Sequence, residues 1–302
     1  EPGTRGRYRQ LACQPASRTG QQSLRLIPAE PVRGAGLTAG RGGGHGRDSM
    51  RLSVLPALGD NYIWVLRDAG RALVVVPGDA APVLAAAAEG LEPAAILLTH
   101  HHPDHCGGVP ALLERWPTLP VFAPEDARID VDCERVGEGD VLELLGHGVR
   151  VMAVPGHTRS HIAYLVDDHV FCGDTLFSLG CGRMFEGTPA QMHASLQRLA
   201  ALPGHTRICC GHEYTVANAA FAVEVEPGNA ALAERRAEAI QLRASAQPTL
   251  PSTVAGERAC NPFLRCDAAE VRESVARRLG HAPVDAVETF AALRGWKDVF
   301  RA

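Results

Sequence analysis

The chain has no uninterrupted apolar run of about 18 residues, so no segment reads as spanning a membrane. It also lacks any pair of cysteines at C-x-x-C spacing, and its nine cysteines are an odd number. Both features argue against a disulfide scaffold and for a reducing, cytoplasmic compartment, with most thiols sitting as small buried apolar groups. No internal repeat is visible. The first 49 residues lack the apolar core, roughly 7–15 residues long, of a secretory signal. What is present suits a folded protein: 302 residues, 46% hydrophobic and 21% charged, enough for one large domain or two modest ones with a real core.

The net charge of −4 is unevenly spread. Residues 1–49 carry eight arginines against Glu1, Glu30 and Asp48, a balance of +5 that leaves −9 for the remainder. An acidic body gives no support to nucleic-acid binding. Gly, Arg, Pro and Ser dominate the first 49 residues, as in RGAGLTAGRGGGHGRDS, without periodicity. Such a segment is expected to be a disordered extension, with Met50 the natural start of the folded protein. A transit peptide would share the arginines, but the glycines spoil an amphipathic helix.

From Met50 the pattern changes. RLSVLPAL, NYIWVLRD and RALVVVPG are short β-rich runs closed by turn residues. Then AAILLTH, VRVMAVPGH, HVFCGD and TRICCGH each run from apolar residues of strand length into His or Asp. TPAQMHASLQRLAALPG predicts a helix with Thr188 as N-cap, Pro189 in the first position and Gln191 completing a capping box; Met192, Leu196 and Leu199 recur at helical spacing. After about Thr215 strand signals fade. NAALAERRAEAIQLRASA and DAAEVRESVARRLG read as helices, the second closed by Gly280. A mixed α/β body over 50–214 followed by a smaller helical part over 215–302 is therefore expected.

Residues 100–105, H-H-H-P-D-H, place four histidines and an aspartate in six positions. Pro103 disfavours helix at the residue before it, so a regular helix is not expected there. The run follows the strand Ala95–Thr99, and His100, His102, Asp104 and His105 can converge at its end. His and Asp are ligands for zinc, iron or manganese. Read in isolation, the stretch also fits a solvated histidine-rich loop. The other strand ends favour a metal: His157, Asp174 and His212 each follow a glycine, which lets backbone approach closely in a crowded site. Five histidines and two carboxylates exceed one tetrahedral ion but suit two cations about 3.5–4 Å apart, a known hydrolytic arrangement.

H-x-H-x-D-H with the distant G-H, G-D and G-H resembles the metallo-β-lactamase superfamily. DNYIW, THHHPDHCGG, PGHT, CGDTLFSLGCGRMFEGTPAQM, GHEYT, PTLPST, NPFLR and RGWKDVF narrow the resemblance to the hydroxyacylglutathione hydrolase (glyoxalase II) family. The likeness runs from Met50 to nearly the end.

The resemblance implies an αββα sandwich with metals at one edge between its sheets, and a C-terminal helical domain completing a glutathione site. It implies two divalent ions, zinc foremost, with iron or manganese also suited to the donors. His100, His102 and His157 would hold the first; Asp104, His105 and His212 the second; Asp174 would bridge them. His101 is not an expected ligand. A bridging hydroxide, held between Asp104 and Asp174, would attack the thioester of S-(R)-lactoylglutathione and yield D-lactate and glutathione, the second step of methylglyoxal detoxification. Arg183, Phe185, Tyr214 and Arg265 would contact substrate. The arginines are natural partners for its carboxylates. A monomer with a small-molecule substrate is expected.

Two departures from the family pattern stand out. Phe185 occupies a position where a tyrosine is common. Val76 replaces the aspartate that usually precedes Pro-Gly and supports the ligands from behind. Losses of that kind cost about 10–100-fold in metal affinity or activity. The competing expectations are an iron-dependent persulfide dioxygenase of the same superfamily, and a metal-binding homologue with impaired turnover.

Overall fold

The computed structural model describes residues 50–301. The expected disordered extension over 1–49 lies outside the described residues.

The alternating pattern of the N-terminal strands sorts their side chains onto two faces. β1 (Arg51–Ala57), β2 (Asn61–Asp68) and β3 (Arg71–Val75) pair antiparallel, and β4 (Glu92–Leu97), β5 (Val121–Ala123) and β6 (Glu134–Arg135) continue the sheet in parallel. On β2, Ile63 and Val65 face outward and pack with Val83 and Ala86 of α1 (Ala81–Ala88) and with Val109 and Leu112 of α3 (Val109–Arg115); α2 (Pro103–Cys106) lies between these helices in the chain. Trp64 and Leu66 face the other way, into the core shared with the second sheet. This period of two is what a strand buried on both faces requires.

The second sheet runs β14-β13-β10-β9-β8-β7, from β7 (Val141–Leu144), β8 (His147–Ala153), β9 (Ile162–Val166), β10 (His169–Gly173), β13 (Arg207–Cys210) and β14 (Ser252–Thr253). A separate hairpin is formed by β11 (Leu176–Phe177) and β12 (Gly180–Cys181). Val149, Val151, Tyr164, Phe171 and Ile208 meet Trp64, Leu73, Leu97 and Phe122 between the sheets. The buried Tyr164 hydroxyl ties the layers, donating to the carbonyls of Leu98 (3.0 Å) and Phe122 (3.1 Å). The two sheets thus form a sandwich, with α1 and α3 packed on the outer face of the first.

Strand direction places the ligands. β8 and β10 both run antiparallel to β9, and β10 runs parallel to β13. Their C-terminal ends therefore emerge at one edge, where His157, Asp174 and His212 follow them. Gly173 adopts φ +48°, and a Cβ there would fall 2.5 Å from Thr99 Oγ1. That crowding is why the strand ends in glycine.

α4 (Pro189–Ala200) has the expected capping box between Thr188 and Gln191, with Met192, Leu196 and Leu199 buried. α5 (Thr215–Val225), α6 (Ala230–Ala244), α7 (Val254–Cys260), α8 (Ala269–Leu279) and α9 (Ala286–Val299) form the helical C-terminal part, and Gly280 closes α8 at φ +80°. β14 also lies in this mainly helical part and pairs antiparallel with β13, adding an edge strand that two residues of sequence pattern could not announce. One expectation is corrected: Pro103 does exclude helix at His102 (φ −61°, ψ 140°) but then opens the single turn of α2 as its first residue, where proline lacks only an unneeded donor.

Candidate metal centre

The seven residues expected to bind metal converge. His100 Nε2 lies 3.1 Å from His102 Nδ1, which lies 3.0 Å from His157 Nε2. His105 Nε2 and His212 Nε2 are 3.2 Å apart, and Asp104 Oδ2 is 3.3 Å from both. Asp174 stands between the two sets: Oδ1 is 3.3 Å from His105 Nε2, and Oδ2 is 3.3 Å from His212 Nε2 and 3.6 Å from His157 Nε2. Three donor groups of metal-holding geometry result: His100 with His102 and His157, His100 with His105 and Asp174, and Asp104 with His105 and His212.

These donors fit cations. Bonds of about 2.0–2.1 Å in a tetrahedron set ligand atoms about 3.4 Å apart, within the spread observed here. The buried Asp174 Oδ1 and His105 Nδ1 have no hydrogen-bond partner. An unpartnered carboxylate oxygen buried among imidazole nitrogens suits a cation.

The two halves differ electrostatically. Burial, then the neighbouring His157 and His101, lowers His102 to about 4, and burial likewise lowers His100 and His157. These three are neutral donors. In the other half burial also opposes charge, but the carboxylates of Asp174 and Asp104 outweigh it and raise His105 to about 9. His212 is raised to about 11, with burial again outweighed by Asp104, Asp174 and Asp60. Burial pushes the Asp174 carboxyl up, but His105 and His212 hold it well below the carboxylate range.

Three of the histidines are oriented from behind. His157 Nδ1 donates to the Arg183 carbonyl at 2.8 Å, His100 Nδ1 meets Thr99 Oγ1 at 3.1 Å, and His212 Nδ1 donates to Asp60 Oδ1 at 2.8 Å. His101, not an expected ligand, has its Nδ1 3.3 Å from Asp126 Oδ2. His161 also stays out: it stacks on His100 at 4.6 Å and accepts from the Asp174 amide at 3.2 Å.

A cavity of about 450 Å³ opens onto the centre, bounded by His102, Asp104, His157, Asp174 and His212. Arg183, Phe185 and Tyr214, the residues expected to contact substrate, line it. Tyr214 stacks on His212 with centroids 4.7 Å apart, and Phe185 packs its ring 5.3 Å from His157. Arg265 does not line it. Its guanidinium makes paired bonds of 3.0–3.1 Å to the buried Glu226 carboxylate. The sequence reading is corrected here: a buried carboxylate needs that guanidinium, which is therefore spent on the fold. Phe177, Arg294 and Lys297 line the cavity instead, and sequence reasoning missed them. RGWKDVF contained the two cations, but nothing local sets them apart from a solvated helix face. Lys297 is the only lysine in the chain.

Val76, the departure from the family pattern, is buried at φ +51°. Its turn backs the ligand segment. The Gly108 amide donates to the Pro77 carbonyl at 2.9 Å, and a Cβ on Gly78 would collide with the Asp104 carbonyl.

Comparison with known proteins agrees with this geometry. Residues 57–212 match the metallo-beta-lactamase superfamily, a family of divalent-metal proteins, and residues 213–300 match the hydroxyacylglutathione hydrolase C-terminus. A hydroxyacylglutathione hydrolase of Xylella fastidiosa (strain M23) is 58% identical over 252 residues, 83% of this chain and 98% of the relative. One from Xanthomonas axonopodis pv. citri (strain 306) is 60% identical over 255 residues, 84% of this chain and all of the relative. Among solved structures, a metallo-beta-lactamase from Staphylococcus aureus subsp. aureus COL shares the fold at TM-score 0.54 and 18% identity, covering 82% of this chain and 71% of that one. With both halves of the described fold matched, and relatives of such identity covered almost end to end, the chain belongs to the hydroxyacylglutathione hydrolase family of the metallo-β-lactamase superfamily.

Proposed function

We propose that this protein hydrolyses the thioester S-(R)-lactoylglutathione to D-lactate and glutathione. One observation carries the reading: seven metal-type ligands converge, and the five of them that border a cavity share its lining with Arg183, Arg294 and Lys297. A glutathione thioester is a carbonyl to be attacked, joined to a peptide with two carboxylates, and this cavity offers a partner for each part.

Two divalent ions suit the donor set, with His100, His102 and His157 holding one, Asp104, His105 and His212 the other, and Asp174 shared. Zinc is the ion we assign, and iron or manganese fit the same atoms. Bound there, such cations lower the pKa of water and polarise a carbonyl oxygen. The chain's own residues do the rest. Asp104 and Asp174 are placed to hold the attacking water. Lys297 donates to the Ala217 carbonyl at 3.1 Å and lies over the Phe221 ring, which leaves its charge at the cavity wall for a carboxylate. Arg294, buried and bonded to the Cys181 carbonyl at 2.9 Å, is rigid enough to add a directed guanidinium. Phe177, Phe185 and Tyr214 exclude water around the thioester. The leaving thiolate, with a reference pKa of about 8.5, needs little protonation, so no dedicated acid is required.

We assign the ligand-bearing body to residues 50–214 and the cation-bearing helical part to 215–302. The eight described cysteines are free, which suits a reducing, cytoplasmic setting, and we assign a monomer. Among the described residues no helix is long and apolar enough to cross a membrane. The persulfide dioxygenase alternative is not favoured, because the relatives that span the whole folded chain are hydrolases.

The test is hydrolysis of S-D-lactoylglutathione by the purified protein, with metal content measured on the same sample. Turnover with about two metals per chain is expected. Two bound metals without turnover would refute this substrate.

A further inference from the structure

We propose that Asp60 and Asn61, in the turn between β1 and β2 and at its exit, are the positioning residues of one half of the centre only, the half formed by Asp104, His105 and His212. The inference rests on the two-cation reading above and extends it to residues that hold the ligands.

Asp60 Oδ1 accepts from His212 Nδ1 at 2.8 Å. A carboxylate on that nitrogen fixes the ring tautomer and leaves the Nε2 lone pair facing Asp104 and His105. Asn61 Nδ2 donates to Asp104 twice, to Oδ2 at 3.0 Å and to the backbone carbonyl at 3.2 Å. One amide thus holds both the side chain and the main chain of a ligand. The segment is fixed in turn by backbone pairing with the strand end that carries His212: the Tyr62 amide donates to the Gly211 carbonyl at 2.8 Å, and the Glu213 amide to the Asp60 carbonyl at 2.9 Å. The Tyr62 hydroxyl adds a bond of 2.8 Å to Glu213.

The other half has different supports. His100 relies on Thr99, and His157 on the Arg183 carbonyl. No recorded hydrogen bond joins Asp60 or Asn61 to His100, His102 or His157. The two halves are therefore separable by substitution. The geometry also favours variants that fold, because the Asp60 side chain is 49% exposed and borders a separate cavity of about 660 Å³. Removing its carboxylate leaves no void in a packed core.

The experiment uses the two-zinc protein, titrated with a chelator, with zinc retained on the protein read at each concentration. The visible spectrum of cobalt-loaded protein reports the coordination, and the thermal midpoint of metal-free protein reports the fold. Asp60→Ala and Asn61→Ala are each expected to release one of the two ions at about 10–100-fold lower chelator concentration, while the other ion leaves as in the wild type. The metal-free midpoint is expected to stay at the wild-type value in Asp60→Ala and to fall by a few degrees in Asn61→Ala, whose buried amide also holds the Asp104 carbonyl. Asp60→Asn keeps an acceptor oxygen and is expected to fall between wild type and Asp60→Ala. Release of both ions together, or of neither, overturns the inference. Should Asp60→Ala not fold, Asn61→Ala and Asp60→Asn are judged by the same criterion. A wild type that binds fewer than two ions overturns the two-cation reading and this inference with it; two ions lost unselectively overturn this inference alone.

Discussion

Val76 is a β-branched residue held at φ +51°, where a Cβ crowds the following carbonyl and costs about 1–2 kcal/mol. Its turn packs against the Asp104 backbone, so the strain lies directly behind a ligand. Asparagine and aspartate tolerate this conformation, and aspartate adds an acceptor. Val76→Asn is expected to raise the thermal midpoint by about 2–4 °C, the yield of roughly 1 kcal/mol in a chain of this size. Val76→Asp relieves the same strain but buries a carboxylate, so its midpoint is not expected to rise; it is expected to slow zinc loss during dialysis against a chelator. If neither variant changes midpoint or retention, the position is not a defect. Lys297 makes a second prediction at this scale. Burial, then the neighbouring Arg294, lowers its amine to about 8. Its positive charge is present below that pH and lost above it, so KM for a glutathione thioester should rise as pH passes 8. Lys297→Arg should abolish that rise, and Lys297→Ala should raise KM about 10-fold at pH 7, as loss of a charge-assisted bond implies, with kcat little changed. A KM independent of both pH and the substitution would remove Lys297 from the substrate site.

At the scale of elements, strand direction and strand-end glycines build the centre. A Cβ on Gly211 would lie 2.5 Å from His105 Cε1 and 2.7 Å from Asp174 Oδ1. Gly211→Ala is therefore expected to displace both ligands and cut metal content to one ion or none, with elemental analysis as the check; two retained ions would show that the strand end has room to yield. This part of the molecule was legible in the sequence. Apolar runs ending in Gly-His or Gly-Asp predict strands that deliver ligands to one edge, and the Thr188 cap predicts α4. Less legible were features fixed by distant partners. Arg265 follows the NPFL run, yet Glu226, just past the end of α5, claims it. Lys297 reaches the cavity only because α9 folds over it, and Asp60 meets His212 across 152 positions of sequence. His169 is buried on β10, which nothing in its sequence neighbourhood announces. Periodicity reports which face a residue occupies within its element, not which element covers that face.

Taken as a whole, the molecule is expected to unfold as one unit despite its two-part organisation. The β11–β12 hairpin carries Phe177 to the cavity, and residues of the C-terminal part hold it. Asn261 Nδ2 donates to the carbonyls of Phe177 (3.1 Å) and Gly180 (3.0 Å), and the buried Glu257 accepts from the Leu179 amide at 2.8 Å. Asn218 reaches the Ser178 carbonyl at 3.1 Å, and Arg294 the Cys181 carbonyl. Phe177, Phe221 and Phe263 belong to the same apolar core. Asn261→Ala would strand two buried carbonyls at about 1–3 kcal/mol each. At roughly 2–4 °C per kcal/mol, the midpoint should fall by about 4–24 °C. The distinguishing observation is the shape of the transition in calorimetry. If the hairpin joins the two parts into one cooperative core, the metal-loaded variant shows a single transition displaced downward, with metal release and loss of helix coinciding. If the parts are independent, the variant shows two transitions, the helical part melting first while the metal-bearing body keeps both its ions and its wild-type midpoint. The second result would make the cation-bearing helices a detachable substrate module, and the first would make every substitution in α7 or α9 a perturbation of the cavity itself.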